Sequence, residues 1–339
     1  MIEIDTPSLS TYTFVDLFAG IGGFHLALDS FGAKCVFASE WDKHAAATYL
    51  NNFGLAPQGD ITQIEEHRIP AHDILCGGFP CQAFSVSGKQ RGFDDTRGTL
   101  FFDIARIVRQ HQPKVLLLEN VKNLAKHDGG KTLAVIANTL DTLGYDIYHQ
   151  VLNTSCFGLP QNRERIYIVG FRKTLNVKIF EFPKPSALPT CLLDIIEPNP
   201  SEAKVIERLD IDIYKEYTPQ NTLFGKMQLL NKPIQIGKVN KGGQGERIYH
   251  PLGHAITLSA YGGGVGAKTG LYLIDGHIRK LSPRECARLQ GFPDTFRLDT
   301  STSQAYKQFG NSVSVNVLQH ILKQISQHAP IQNKSGRTF

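Results

Sequence analysis

The chain has 339 residues, 41% of them hydrophobic and 20% charged. That is the composition of a folded enzyme of about two domains, and short apolar runs such as Val115 to Leu118 exclude a membrane span. The 36 Lys and Arg against 31 Asp and Glu leave a net charge of +5, and six cysteines are scattered without a C-x-x-C pair; the charge permits a nucleic-acid partner without requiring one, and the cysteines speak against a disulfide framework or a metal site.

Glu3 and Asp5 stand where a secretory leader would be basic and apolar, so the expected location is the cytoplasm. The first half alternates strand-like and helix-like stretches, the rhythm of a doubly wound α/β sheet. A strand over Thr13 to Phe18 ends in a glycine turn and leads to a helix over Phe24 to Phe31. A second strand covers Ala33 to Ser39, a second helix Asp42 to Phe53, and a third strand His72 to Cys76, which ends in Gly77-Gly78. The spacing predicts a helix over Thr99 to His111, with Phe102, Ile104, Ile107 and Val108 on one apolar face. Beyond Pro113 follow a strand over Val115 to Glu119, a helix over Thr132 to Leu143 and a strand over Ile166 to Gly170. After about Arg172 the rhythm breaks, prolines recur from Pro183 to Pro200, and a second domain begins. Between Lys226 and Lys280 there are eight Lys or Arg and two acids, a local net charge of +6. The ten glycines from Gly237 to Gly270 are too many to build a packed core by themselves. Basic, glycine-rich loops around Tyr249 and Tyr261 suit a phosphate backbone, and a solvated loop region fits that composition equally well. From Thr302 to Ile325 a helix-like pattern returns and is expected to rejoin the first domain.

Several positions can carry chemistry. Asp16 to Phe24 form a glycine-rich turn from strand to helix, where a ligand can approach the backbone at the carboxyl end of a sheet. A dinucleotide fingerprint would need glycine at position 25, where this chain has His25, which argues against a nicotinamide dehydrogenase. At the end of the second strand Glu40 can bind ribose hydroxyls, and Trp41 offers a face to adenine, although a lone tryptophan is more often core. Asp60-Ile61 can add a further adenine contact. Cys81 follows Gly77-Gly78-Phe79-Pro80 just past a strand, where a thiol can be exposed and ionised for attack; a buried structural cysteine is the bland alternative. A cysteine protease would need a partner histidine, and none pairs with Cys81 from sequence. Glu119 ends a strand at the same edge. Arg163 and Arg165, two residues apart, share a face if extended, unless they belong to a surface ion-pair patch.

These residues, in this order, resemble the DNA cytosine-5 methyltransferase family. The likeness runs from Phe14 to Gly20 through Pro80-Cys81-Gln82, Glu119-Asn120-Val121 and Gln161 to Arg165, then Arg284 to Pro293 and Gln308 to Val313. In the variable region, Lys241 to Tyr249 and Ile256 to Gly264 are similar to the GCGC-specific type found in bacterial restriction-modification systems. The match fades from about Leu192 to Pro233 and departs at His250 to Leu252 and at Gly266, where a bulky apolar residue is expected.

The resemblance implies a Rossmann-like, S-adenosylmethionine-dependent catalytic domain over 1–192 and a smaller, glycine-rich target-recognition domain over 193–282. A hinge region would cover 283–310, and 311–339 would carry a helix back to the catalytic domain. The cofactor would lie against Phe18, Gly20, Ile21 and Gly23, with Glu40 on the ribose and Trp41 on the adenine. Asp60, Ile61, Pro80, Leu100, Asn311 and Val313 would complete that pocket. Cys81 would attack C6 of a cytosine flipped out of the duplex, Glu119 would hold the N3 proton, and Arg163 and Arg165 would orient Glu119 and bind the ring's O2. No residue is assigned to remove the C5 proton, which water can take. The implied target is GCGC, methylated at its first internal cytosine. Gln244, helped by Ser87, would fill the gap left by the flipped base. Arg247 would read guanine, Thr257 would hold a phosphate, and Gly264 would belong to the same DNA-binding set. The expected partner is double-stranded DNA, bound by a monomer without metal, with a cognate restriction endonuclease as a functional but not physical partner in a bacterial cytoplasm. The same chemistry on tRNA and a catalytically silent DNA-binding module are the alternatives; intact Cys81 and Glu119 speak against the second.

Overall fold

The structure is a computed structural model that describes residues 8–80, 100–185, 189–214 and 231–328. The chain divides into two units. The first comprises Met1–Leu152, Glu164–Pro183 and Leu318–Phe339, and the second Asn153–Arg163 and Lys184–Val317. The short stretch before residue 164 thus groups with the second unit.

In the first unit, the elements are β1 (Thr13–Leu17), α1 (Gly23–Asp29), β2 (Lys34–Ser39), α2 (Lys43–Phe53), β3 (Ile74–Gly78) and α3 (Leu100–His111). They continue with β4 (Val115–Val121), α4 (Lys131–Thr142), β5 (Tyr145–Asn153) and β6 (Glu164–Arg172). The sheet order is β2-β1-β3-β4-β6-β5. The first four strands are parallel neighbours, and β6 runs antiparallel to β4. Residues 115–120 of β4 are all buried, as expected of a strand covered on both faces and not of one with a solvated side. One core joins Val15, Leu17, Leu75, Leu116 and Leu118 to Ile104, Ile107 and Val108 of α3 and Ile136 and Leu140 of α4. On α3 the apolar face includes Phe101, which is buried, while Phe102 is only partly so. Asp42 caps α2 by accepting from His44 N and Ala45 N, a common N-cap device.

The second unit contains a five-stranded sheet in the order β11-β10-β9-β8-β7, built from β7 (Asp212–Ile213), β8 (Ile234–Lys238), β9 (Arg247–His250), β10 (Leu271–Ile274) and β11 (His277–Arg279). Helices α5 (Pro283–Leu289) and α6 (Thr302–Asn311) follow, and α7 (Val315–His328) passes from the second unit into the first. Despite its glycines, this region has a core: Ile206, Ile234, Ile236, Val239, Ile248, Leu271 and Ile278 cluster together. The expected helical stretch from Thr302 to Ile325 is broken at residues 312–314, where the buried Ser314 hydroxyl bonds Gln290 and Thr154. Among the described residues no helix is long and apolar enough to cross a membrane, and no group of three His, Cys, Asp or Glu could hold a metal ion.

Candidate active site

The sheet order brings the carboxyl ends of β2, β1, β3 and β4 side by side, and the residues that follow each strand share one edge. After β1 the chain turns sharply, with left-handed φ at Phe18 (54°) and Gly20 (56°). Such backbone is unusual for a bulky residue, and it concentrates at functional sites. Nothing lies within 4 Å of where a Gly20 Cβ would project, so the backbone there is open to a ligand. The loop is held from β2's end by Glu40, whose Oε2 accepts from Gly20 N and Oε1 from Asp42 N, both at 2.8 Å. Burial raises the Glu40 carboxyl, and these backbone donors oppose the rise. Each oxygen keeps a further lone pair for a ribose hydroxyl. Trp41 is 78% exposed, a flat platform beside that carboxylate. Asp60 Oδ1 accepts from Thr62 N at 3.0 Å, and its other oxygen can accept from an adenine amino group. Ile21 and Ile61 are buried in the core, Gly23 opens α1 and Leu100 opens α3. The donor set therefore fits an adenosyl ligand.

Two neighbours of this loop have other roles. Asp16 is fully buried, and its Oδ2 has no hydrogen-bond partner. Burial raises its carboxyl well above the usual range, and the Cys76 thiol, donating to Oδ1 at 3.8 Å, acts against that rise. His25 is a core residue: its Nδ1 is 2.6 Å from the Tyr49 hydroxyl, its ring stacks on Phe53, and burial lowers its pKa to about 4.

Further along the edge, Gly78 of β3 pairs with Glu119 of β4. Pro80 is exposed two residues on; Cys81, which follows it, and Ser87 lie outside the described residues. Sequence reasoning assigned no role to Asn120, whose buried Nδ2 donates to Phe79 O at 2.8 Å and so holds the backbone leading out of β3. Its place between Glu119 and Val121 in the motif was the available signal. Glu119 is buried, and Arg165 Nε lies 3.2 Å from its Oε1. The antiparallel β6 makes this possible, because Arg165 at its start pairs with Val121 at β4's end. Among the other cysteines, burial pushes Cys35 up to about 12, raises Cys191, and raises Cys76 and Cys286 well above the thiol range. Those four are poor nucleophiles.

The second unit holds the remaining residues. Arg163 precedes β6, is buried, and donates to Leu258 O, Gly310 O and Ser312 O. It thereby fixes the turn that carries exposed Asn311 and buried Val313. Gln244 and Arg247 are exposed at the start of β9. A Cβ on Gly245 would lie 1.9 Å from Gly263 O, and one on Gly264 3.1 Å from Gly245 O. The two glycine loops therefore touch backbone to backbone, which brings Gln244 next to Gly264. Gly266 donates to Gly245 O at 2.7 Å, and a Cβ there would meet Leu271 and Gly245; the expected bulky residue does not fit this packing. Thr257 Oγ1 donates to Asn162 O at 2.6 Å.

The sequence pattern of the C-5 cytosine-specific DNA methylases matches residues 12–327. The chain is 57% identical over 322 residues to the type II methyltransferase M.HhaI of Haemophilus parahaemolyticus, an alignment covering 95% of this chain and 96% of that one. It is 45% identical to the type II methyltransferase M.HpaII of Haemophilus parainfluenzae, over 93% and 89% of the two chains. Among solved structures, a DNA modification methyltransferase from an E. coli prophage superposes with a TM-score of 0.68 at 25% identity, over 93% of this chain and 99% of that one. The S. pombe Dnmt2 methyltransferase shares the fold, with a TM-score of 0.64 at 19% identity over 92% and 97%.

Proposed function

The chain belongs to the C-5 cytosine-specific DNA methylase family and is a DNA cytosine-5 methyltransferase with S-adenosylmethionine as its methyl donor; from that premise we propose that it methylates the first internal cytosine of GCGC in double-stranded DNA. The observation that carries the chemistry is the Glu119–Arg165 pair at the sheet edge, beside the strand end that leads to Cys81. The cytosine is flipped out of the helix, at an unstacking cost of a few kcal/mol. Cys81 attacks C6, and Glu119 holds the proton on N3, so that the ring's charge is neutralised as the Cys81 sulfur bonds to it. Arg165 orients the Glu119 carboxyl and donates toward O2. Bound S-adenosylmethionine would supply an electrophilic methyl group to C5, its sulfonium S–CH3 bond breaking to leave S-adenosylhomocysteine. Loss of the C5 proton, to water, then expels Cys81. Glu40, Trp41, Asp60 and the turn from Phe18 to Gly23 bind the adenosyl part, with Ile61, Pro80 and Leu100 beside them.

Specificity rests on the likeness of Lys241 to Tyr249 and Ile256 to Gly264 to GCGC readers, and on the contact between the Gln244 and Gly264 loops. Gln244, with Ser87, fills the space left by the cytosine. Arg247 reads a guanine, where a bidentate contact contributes about 1–3 kcal/mol of discrimination. Thr257 holds a phosphate and thereby sets register. The enzyme acts as a monomer and protects DNA from a cognate endonuclease. The test is plasmid DNA treated with enzyme and cofactor, then challenged with a GCGC-cutting endonuclease: protection is expected, and full cleavage would refute the specificity. Bisulfite sequencing of the same DNA identifies the modified base.

A further inference from the structure

In the second unit, Lys204, Lys268 and Lys280 have no carboxylate among the described residues within ion-pair distance. Lys268 sits at the foot of the glycine loop: its carbonyl accepts from Ser259 N, Ala267 N donates to Gly264 O, and a Cβ on Gly262 would lie 3.0 Å from Lys268 N. Its backbone is left-handed at a φ of 75°, which a non-glycine residue holds only when the surroundings impose it. The Lys268 ammonium donates to Ser303 O and Oγ. Ser303 lies in the first turn of α6, which carries no acid, so the helix's partial positive charge also disfavours a cation there. Lys280 N donates to Lys204 O at 3.0 Å, and the hydroxyl of Tyr306, one turn beyond Ser303 on α6, donates to Leu281 O, so the partner of Lys268 and the strand end bearing Lys280 are neighbours. Partial burial lowers the Lys280 ammonium from its ordinary value, and repulsion from Lys204 and Lys268 lowers it further. Among the described residues none of the three forms an ion pair with a carboxylate. By contrast, Lys114, Lys122, Lys131, Lys173 and Lys238 each have one within 4 Å.

Cations gathered without acids are unfavourable until an anion joins them. A lysine ammonium is a point charge suited to phosphate. We propose that Lys204, Lys268 and Lys280 form a clamp for the phosphodiester backbone of duplex DNA, beside the loop that carries Tyr261 to Gly264. The inference rests on the proposed DNA substrate and extends it: these lysines hold the duplex in register and read no base.

The test is the salt dependence of DNA binding by the full chain. Fluorescence anisotropy with a GCGC duplex and an unrelated duplex is measured between about 50 and 200 mM salt. Removing one lysine–phosphate interaction lowers the log–log slope by about 0.9. Lys204→Gln, at an exposed position, is expected to lower it by that amount on both duplexes. The triple variant with Lys268→Gln and Lys280→Gln is expected to lower it by about two to three. Lys173→Gln, whose partner is Asp141, is the control and leaves the slope unchanged. A wild-type slope in both the single and triple variants overturns the clamp. So does a result in which inorganic phosphate at constant ionic strength raises the wild-type melting temperature while the triple variant keeps the DNA slope, because the lysines then hold a free anion. The plasmid assay separates the two readings: cleavage at GCGC by the endonuclease with a lowered variant slope refutes the target sequence and keeps the clamp, and the reverse pattern does the opposite.

Discussion

Replacing Gly245 with alanine is the sharpest perturbation the geometry offers. The new Cβ would lie 1.9 Å from Gly263 O and 3.5 Å from Gly264 Cα. Carbon and carbonyl oxygen approach no closer than about 3.3 Å even in favourable contacts, so the two loops must separate by about 1.4 Å. Both neighbours are backbone, and no side chain can swing away. The bond from Gly266 N to Gly245 O resists the displacement from one side, and the bond from Val239 N to Glu246 O resists it from the other. Overpacking of this kind costs about 1–3 kcal/mol of stability. A misplacement of about 1 Å at a site can cost about 100-fold in rate, equivalent to about 2.7 kcal/mol. Gly245→Ala is therefore expected to lower kcat/KM on a GCGC duplex by about that factor and to narrow the preference over single-mismatch duplexes. Cofactor affinity should hold, because Glu40 and Trp41 belong to the other unit. Gly243→Ala is the control: its Cβ would meet only the Glu246 side chain, 3.3 Å away, and no backbone. Radiolabelled methyl transfer gives the rates and calorimetry the cofactor affinity. Unchanged kcat/KM and preference in Gly245→Ala would refute the coupling of the two loops, and an equal loss in Gly243→Ala would show that the contact is not the cause.

Arg165→Gln leaves the buried Glu119 carboxyl without its cation 3.2 Å away; breaking such a pair costs about 3 kcal/mol, so a fall in kcat of roughly 100-fold or more is expected, with unchanged turnover arguing against the role given to Arg165. Glu40→Ala removes the acceptor shared by Gly20 N and Asp42 N. Unpaired buried donors cost about 1–3 kcal/mol, and calorimetry should show S-adenosylmethionine binding weakened at least about tenfold; equal affinity would count against this placement of the ribose. Cys81→Ala should abolish methyl transfer and, with 5-fluorocytosine in the target, the covalent protein–DNA complex seen on denaturing gels; a persisting complex would exclude Cys81 as the nucleophile. Asp16→Asn tests the buried carboxyl. Its raised pKa means that the folded state holds more protons than the unfolded chain above about pH 4, so stability falls with rising pH by up to about 1.4 kcal/mol per pH unit until the folded pKa is reached. The asparagine variant lacks this loss, and its melting temperature should gain on wild type as pH rises from about 4; a constant difference would exclude ionisation of Asp16 as the cause.

How far the sequence reveals the fold depends on how local the determining interactions are. The strands and helices from Thr13 to Thr142 are legible because each combines an apolar period with a turn or cap: the turn after β1, Asp42 before α2, Pro113 after α3. Strand β5 escapes because it ends the sheet order and Ile147 and Tyr148 are only half-buried, so no alternation is visible. The direction of β6 escapes for a different reason. Ile166 to Val169 are buried whichever way the strand runs, and nothing in a continuous apolar run encodes orientation. The core of the second unit is assembled from isoleucines between positions 206 and 278, and the glycine count that argued against a core reports on the loops between them.

The two arginines differ in the element that holds them. A period of two places Arg163 and Arg165 on one face only while both lie in a strand, and β6 begins between them, at Glu164. Arg165 is inside the strand and meets Glu119. Arg163 lies just outside, where Gln161 O already accepts its backbone N–H and Asn153 Oδ1 also receives it. Its guanidinium donates to three backbone carbonyls. A buried guanidinium brings five donors to satisfy. Carbonyls of the turns around Leu258, Gly310 and Ser312 carry partial negative charge, and the backbone there solvates the guanidinium. Gln161 and Gln290 act on the same turns, through Leu258 N, Leu289 O and Phe309 O. Arg163 thus belongs to a buried polar frame for the loops bearing Thr257 and Val313, and we propose that it acts on the reaction by positioning them. Arg163→Lys distinguishes this from direct action on the ring: one ammonium cannot reach three separate carbonyls, so melting temperature and KM for DNA should both worsen. A variant that loses kcat alone would instead return Arg163 to the reacting base.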